Sequence, residues 1–319
     1  MKIFADDGST NIKLKFDRQD GEAATLLSPV SFKRQWSVPF GGLPVYNYAM
    51  EGELFSFDPV SPDALVTTNI EWQYSNVNVV AVHHALLLTG IEPCEVDLVV
   101  TLPLSEFYDA RHQPHEENIA RKRSSLMRPV TANGKKTFTV RSVEVMPESI
   151  PAGYRILSEM DPLESLLIID LGGTTLDISQ VMGKMAGITR IHGDATIGVS
   201  MMTGAVSEVL TAARTQVSSY LANDVISNRH DAAYLESRIN DVSKLPDLQR
   251  VLRDSQQLLT RRVTEAVSAF KGYSQAMVIG GGAEIIADAL EAHCALRKGR
   301  FHKTGTSQFD LVSGMYDIG

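Results

Sequence analysis

The feature that most constrains this chain is an internal echo. The segment ADDGSTNIKL at 5–14 returns as IDLGGTTLDI at 169–178. Each copy reads as a strand ending in aspartate, then x-Gly-(Ser/Gly)-Thr, then a second strand. Asp6 corresponds to Asp170, Gly8 to Gly172 and Thr10 to Thr174, an offset of 164 in a chain of 319 residues. A repeat at about half the length points to two similar α/β lobes, each presenting one strand–turn–strand at the mouth of a shared cleft. The length independently suits two domains of about 150 residues.

Periodicity and punctuation predict the elements around these turns. Strands are expected at 2–5, 12–16, 97–102, 138–145, 166–170, 176–181, 187–191 and 275–279. Helices are expected from Ser75 or Asn76 to about Thr89, over 116–127 on the surface, and from Pro151 to about Met160. Further helices are expected over roughly 198–218, 246–271 and 284–292. Residues 28–62, rich in Pro, Gly and aromatics, read as short strands and loops. Phe32, Trp36, Phe40, Tyr46 and Tyr48 in that stretch are expected in the core rather than at an interface.

A tight Gly-Ser/Thr turn between strands exposes consecutive backbone N–H groups, which form an anion-binding concavity. Glycine permits close backbone approach, and the hydroxyls add hydrogen bonds to phosphate oxygens. Two such turns would clasp a polyphosphate from opposite sides. Asp6 and Asp170 at the strand ends would hold a hydrated Mg²⁺. A single D-x-G-x-T favours a plain capped hairpin; two copies at half-chain spacing reverse that preference. A third motif, MVIGGGAEII at 277–286, runs a buried strand into Gly280-Gly281-Gly282 and then a helix carrying Glu284. Its bare backbone would leave room for a purine and ribose, and it matches neither a Walker loop nor a Rossmann fingerprint. A fourth, VMPESIPAGY at 145–154, places Glu148 just before a proline-started helix. A carboxylate there could orient water toward a terminal phosphate, or simply satisfy a helix dipole. Lys13 could neutralise phosphate or sit on the surface of its strand.

Composition removes other classes. A net charge of −8 excludes a general nucleic-acid binder, so any DNA role would run through a partner. Cys94 and Cys294 form no C-x-x-C, which excludes a zinc ribbon and argues against a disulfide framework. Asp6 and Asp7 interrupt any signal-peptide core, and no apolar run approaches 18 residues, so a cytoplasmic protein with no membrane contact is expected. The run Arg121-Lys122-Arg123 reads as a solvated helix face, and the adjacent His83 and His84 lack the spacing of paired metal ligands.

The order D-x-G-S-T, P-E-S-I-P, D-L-G-G-T-T, G-G-G-A-E resembles the actin/Hsp70/sugar-kinase superfamily. The phrases SFKRQW, VTTNIEWQYS, VNVVAVHHALL and LLIIDLGGTTLDISQVMGK look like the plasmid-segregation actin homologues of the ParM (StbA) family. That resemblance implies an actin-like ATPase fold, with domain I at 1–160 plus 300–319 and domain II at 161–299 flanking a nucleotide cleft. It implies ATP or GTP with Mg²⁺, self-assembly into filaments, disassembly linked to hydrolysis, and contact with plasmid DNA only through a ParR-type adaptor. Carried over, Asp6, Gly8, Ser9, Thr10, Asn11 and Lys13 would line the first phosphate loop; the superfamily pattern puts the functional aspartate at Asp6, and the neighbouring Asp7 could share its role. Gly172, Gly173, Thr174 and Thr175 would line the second. Glu148 and Asp170 would be catalytic, with Asp6 and Asp170 toward the metal. Gly280, Gly281, Gly282 and Glu284 would border the nucleoside. The same superfamily contains small-molecule kinases. These need an aspartate base facing a substrate hydroxyl, and Glu148 at the water side favours hydrolysis instead.

Overall fold

A computed structural model of the chain describes residues 1–40, 42 and 44–319. The first half carries β1 (Lys2–Asp7), β2 (Asn11–Asp17), β3 (Ala23–Pro29), β4 (Phe32–Lys33), β5 (Asn47–Met50) and β6 (Glu53–Phe57). Then come α1 (Asn76–Leu88), β7 (Glu95–Leu102), the short α2 (Leu104–Phe107), α3 (Glu116–Leu126), β8 (Thr131–Ala132), β9 (Thr139–Pro147) and α4 (Tyr154–Glu159). The second half opens with β10 (Ser165–Leu171), β11 (Leu176–Met182) and β12 (Ile188–Asp194). It continues through α5 (Ser200–Ala212), α6 (Ser219–Ser227), α7 (Ala232–Ser237) and α8 (Leu245–Val267). It ends with β13 (Gln275–Ile279), α9 (Ala283–Cys294), β14 (Phe301–His302) and α10 (Asp310–Ile318).

Two sheets repeat one topology. Their strand orders are β3-β2-β1-β7-β9 and β12-β11-β10-β13-β14. In each, the leading strand pairs antiparallel with its hairpin partner and parallel with a strand that returns after a helix. β10 (SLLIIDL) is buried along its whole length, as a central strand covered on both faces must be. A small sheet, β4-β6-β5-β8, caps the first lobe.

Each sheet has its own apolar core, and a third cluster joins them. There Phe4 and Val99 of the first sheet share a core with Ile168, Met277 and Ile279 of the second and with Leu311, Val312 and Met315 of α10. On α8, Leu248, Leu252, Leu259, Val263 and Val267 face inward at four- and seven-residue spacing, and its other faces carry charge.

Two expectations change. The helix expected over 198–218 ends at Ala212, and Arg214 takes a positive φ of 56°. Ser218 then caps a new helix, its hydroxyl accepting from the Leu221 N–H at 3.1 Å. Past residue 300, β14 pairs parallel with β13 through Phe301 and His302. The aromatic stretch splits, with Phe32 and Tyr48 buried but Phe40 93% exposed. Gly41 and Leu43 of that stretch lie outside the described residues.

Candidate functional site

Strand register explains how the echoed segments build one site. Asp6 stands directly opposite Lys13 on β2, and Asp170 stands opposite Asp177 on β11. Opposite residues of an antiparallel pair share a face, whereas neighbours along a strand point to opposite faces. Asp6 and Lys13 therefore meet in the cleft, with Lys13 Nζ 2.9 Å from Asp6 Oδ2. Lys13 is buried there rather than displayed on the surface. Asp7 faces the other way. Its fully buried carboxylate is held by Lys122 and by the Asn78 amide, so it does not reach the cleft expected for it. Lys122 is likewise wholly buried and is not part of a solvated face.

The two turns touch. Ser9 Oγ lies 2.6 Å from Thr174 Oγ1, and a Cβ on Gly173 would come within 2.5 Å of Thr10 Cγ2. The first turn is pinned by the Thr67 hydroxyl, which donates to the Ser9 carbonyl at 2.7 Å. The second is tied to the start of α5 through the Ser200 N–H, which donates to the Gly173 carbonyl at 2.8 Å. Gly280, at φ +88°, packs its backbone against the Asp170 carboxylate, where no side chain would fit. The resulting cleft, an open space of about 510 Å³ that includes solvent at its mouth, is lined by Asp6, Gly8, Ser9, Thr10, Lys13, Glu148, Asp170, Gly172, Gly173, Thr174, Thr175, Gly280 and Gly281.

A second cavity, an open space of about 710 Å³ that likewise includes solvent at its mouth, continues from it, sharing Thr10, Gly173 and Gly281. Asn11, Glu284, Asn223, Ser227 and Arg229 line this part. Gly282 does not reach either cavity. Its missing side chain instead lets α9 pack on Leu171 and Val199. His83 and His84 are core residues of α1, and the His84 ring stacks on Phe57 at 4.5 Å with its Nδ1 2.8 Å from the Tyr48 hydroxyl.

Glu148 is aimed by a strained turn. Ser149 adopts φ 70°, ψ −61°, and the Ile150 N–H donates back to the Glu148 carbonyl at 2.8 Å. This is a three-residue turn of the rare positive-φ kind, a conformation that persists only where its surroundings enforce it. The Ser149 hydroxyl, 2.7 Å from that of Ser179 on β11, fastens the turn to the second lobe.

The cleft concentrates negative charge. Burial, then Asp177, Asp6 and Asp170, push the Glu148 carboxyl well above its usual range, against the pull of Lys13. Burial and then Asp6 and Asp177 do the same to Asp170, partly offset by Lys13 and the Ser149 N–H. Burial raises Asp177 to about 6, against the Leu104 N–H, the Thr175 hydroxyl and Glu148. Burial works against the Lys13 charge, but Asp6, Asp170 and Glu148 outweigh it and raise its pKa. Such crowding calls for cations. Among the described residues no three acidic, His or Cys groups form a ready ion cage. Asp6 and Asp170 are nonetheless hard oxygen donors facing one cavity, which suits Mg²⁺ held largely through its own waters.

Asp177 was missing from the sequence-based site, although the echo locates it: the same offset that links Asp6 to Asp170 carries Lys13 onto Asp177. It carries Asp7 onto Leu171, a wholly buried residue, which marks Asp7 as a core position. Gln73 and Asn223 carried no such signal.

Comparison with known proteins gives a family and a fold. The family model described as "Plasmid segregation protein ParM, N-terminal" matches residues 1–159, and the one described as "Plasmid segregation protein ParM, C-terminal" matches residues 160–318. No curated protein matches the sequence. Among solved structures, the archaeal actin homolog Ta0583 in complex with ADP superposes with a TM-score of 0.71 at 17% identity, covering 99% of this chain and 98% of that one. A non-polymerisable quadruple mutant of pCBH ParM gives 0.75 at 14% identity, covering 100% and 98%. A 15-stranded ParM filament from Clostridium botulinum gives 0.73 at 13% identity, covering 99% and 98%. At these identities the likeness establishes the fold.

Proposed function

The chain belongs to the ParM family of plasmid segregation proteins, and from that premise we propose that it is an actin-like ATPase whose nucleotide-bound form polymerises and whose hydrolysis loosens the polymer. The observation that carries this reading is the meeting of two anion-binding turns from two topologically equivalent sheets, Ser9 against Thr174, beside a buried glutamate. We assign residues 1–160 and the segment after β14 to one lobe, and 161 to β14 to the other. The triphosphate would lie in the smaller cavity and the nucleoside in the larger.

In this reading the backbone N–H groups and hydroxyls of both turns bind phosphate oxygens, and Lys13 offsets their charge. Asp6 and Asp170 would hold Mg²⁺, which when bound neutralises phosphate charge. Glu148 accepts a hydrogen bond from the attacking water and places it in line with the terminal phosphate. Asp177, held by the Leu104 N–H at 2.7 Å, adds to the negative field that raises the Glu148 carboxyl. Contacts to the terminal phosphate favour the closed arrangement of the lobes, and closed lobes present better-matched surfaces to neighbouring copies. Release of phosphate removes those contacts and weakens the filament. ATP or GTP would serve as fuel. Capture of DNA would run through a ParR-type adaptor, as the acidic chain is unsuited to binding phosphodiesters directly. No described helix is long and apolar enough to cross a membrane, and we place the protein in the cytoplasm.

The test is right-angle light scattering with Mg-ATP and phosphate release followed in the same cuvette. Scattering that rises and then decays as phosphate appears supports the proposal. ATP turnover with no scattering at any protein concentration would move the function to the small-molecule kinase reading.

A further inference from the structure

Gln73 sits in the short 3-10 turn Ile70–Tyr74, which begins at an Asn69 cap whose side chain accepts from the Trp72 N–H at 3.2 Å. The turn is moored to β1, because the Trp72 indole donates to the Asp7 carbonyl at 2.8 Å. Gln73 is 5% exposed, and what it does expose faces the phosphate end of the cleft, alongside Asp6, Pro103 and Glu148.

Behind it lies Lys122. The Lys122 ammonium donates to Gln73 Oε1 at 2.7 Å and to the Gln73 carbonyl at 3.0 Å. It is held in place by Asp7 and has no access to solvent. An ammonium has donors only, so it must face the oxygen of the carboxamide. The amide cannot flip without setting N–H against N–H in a buried site, which is costly. Lys122 thus fixes the amide with Oε1 inward and the Nε2 donors on the cleft side. Among the described residues no protein acceptor meets Nε2. A preset, unused donor opens into a cavity whose other walls are rich in carboxylates.

We propose that Gln73 is a further ligand of the terminal phosphate, its amide held donor-outward by the buried Asp7–Lys122 pair. This rests on the reading that the cleft takes a nucleoside triphosphate. The terminal phosphate is the relevant one because Gln73 shares its wall with Glu148, whereas Asn223 and Arg229 line the far, nucleoside end. Lys122 then acts as a positioning residue: it never reaches the ligand, but it decides which end of the amide does.

The experiment measures ATP and ADP affinity separately in the full-length protein. Gln73→Met removes both polar ends at similar volume, and Gln73→Glu keeps an acceptor for Lys122 while replacing the donor by oxygen. Each is expected to weaken ATP binding about ten- to a hundredfold, the range of a hydrogen bond to a charged group, and to leave ADP binding within about twofold. A parallel loss of both nucleotides, or an unchanged ATP preference in whichever variant retains the wild-type unfolding transition, would overturn the assignment. The double variant Lys122→Met/Asp7→Asn leaves Gln73 in place but frees its amide. It is expected to lose part of the same ATP preference, and a full wild-type preference would remove Lys122 from the role. If the unaltered protein bound neither nucleotide, the cleft reading itself would fail.

Discussion

Replacing Lys122 with methionine isolates the energetic role of the buried pair behind the cleft. Lys122 and Asp7 both have side chains with no solvent access, and among the described residues Asp7 Oδ1 already lacks a partner. Removing the ammonium leaves a buried carboxylate supported only by the Asn78 amide, 2.8 Å from Asp7 Oδ2. Breaking one side of such a pair costs about 3–5 kcal/mol. For a lobe of about 160 residues, at about 2–4 °C per kcal/mol, the unfolding midpoint of that lobe should fall by roughly 6–20 °C. Adding Asp7→Asn removes the stranded charge while keeping a side chain that can bond Asn78. The double variant should recover most of the loss, since neutral replacement of a buried pair is close to neutral in stability.

The same variant carries a pH signature. Burial raises the Asp7 carboxyl even in the intact protein, and Lys122 is the main influence lowering it. Without Lys122 the folded-state pKa rises further above its unfolded value. A raised pKa stabilises the fold below the unfolded pKa, and that stabilisation is lost as pH rises through the folded pKa. The cost of Lys122→Met should therefore be smallest in acid and largest at neutral pH. Calorimetry across that range, with both single variants and the double, measures all of these quantities. A single-variant cost below about 1 kcal/mol at neutral pH, or strictly additive single costs, would refute the reasoning.

Gly173→Ala places a methyl group against Thr10 and should hold the two turns apart. Overpacking of about 1–3 kcal/mol predicts nucleotide affinity lower by about five- to a hundredfold with the fold intact, as read by nucleotide titration. Glu148→Gln should slow phosphate release by about 10²–10⁴-fold while nucleotide still binds; undiminished turnover would remove Glu148 from the reaction. Because burial and neighbouring carboxylates raise Glu148, hydrolysis at saturating nucleotide should increase with pH as its carboxyl ionises, and the Glu148→Gln variant should lose that rise. Ser218→Ala removes both the α6 cap and a hydroxyl that donates to the Pro59 carbonyl at 2.8 Å. About 1 kcal/mol of local stability should go with it, visible as faster amide exchange in α6.

Much of the site was legible because it is local. A strand ending in aspartate followed by Gly and Ser or Thr builds its turn from short-range geometry, and the repeat at half length announced two lobes. The same offset would have added Asp177 and removed Asp7, since period-two alternation decides which of two adjacent aspartates faces the cleft. The sequence alone could not place Lys122 in the interior: its neighbours Arg121 and Arg123 are exposed, and only the packing of α3 against the Ile70–Tyr74 turn and β1 brings the ammonium to Asp7. Nor could it show that Ser9 meets Thr174 across 165 positions, or that Gly282 serves helix packing rather than ligand approach. Periodicity and turn chemistry act over a few residues, so the chain by itself determined its strands, its turns and its twofold plan. Distances between segments far apart in sequence are settled by burial and by charge compensation in a shared interior. Those forces, acting only in the folded molecule, decided which aspartate faces the cleft and which lysine is hidden.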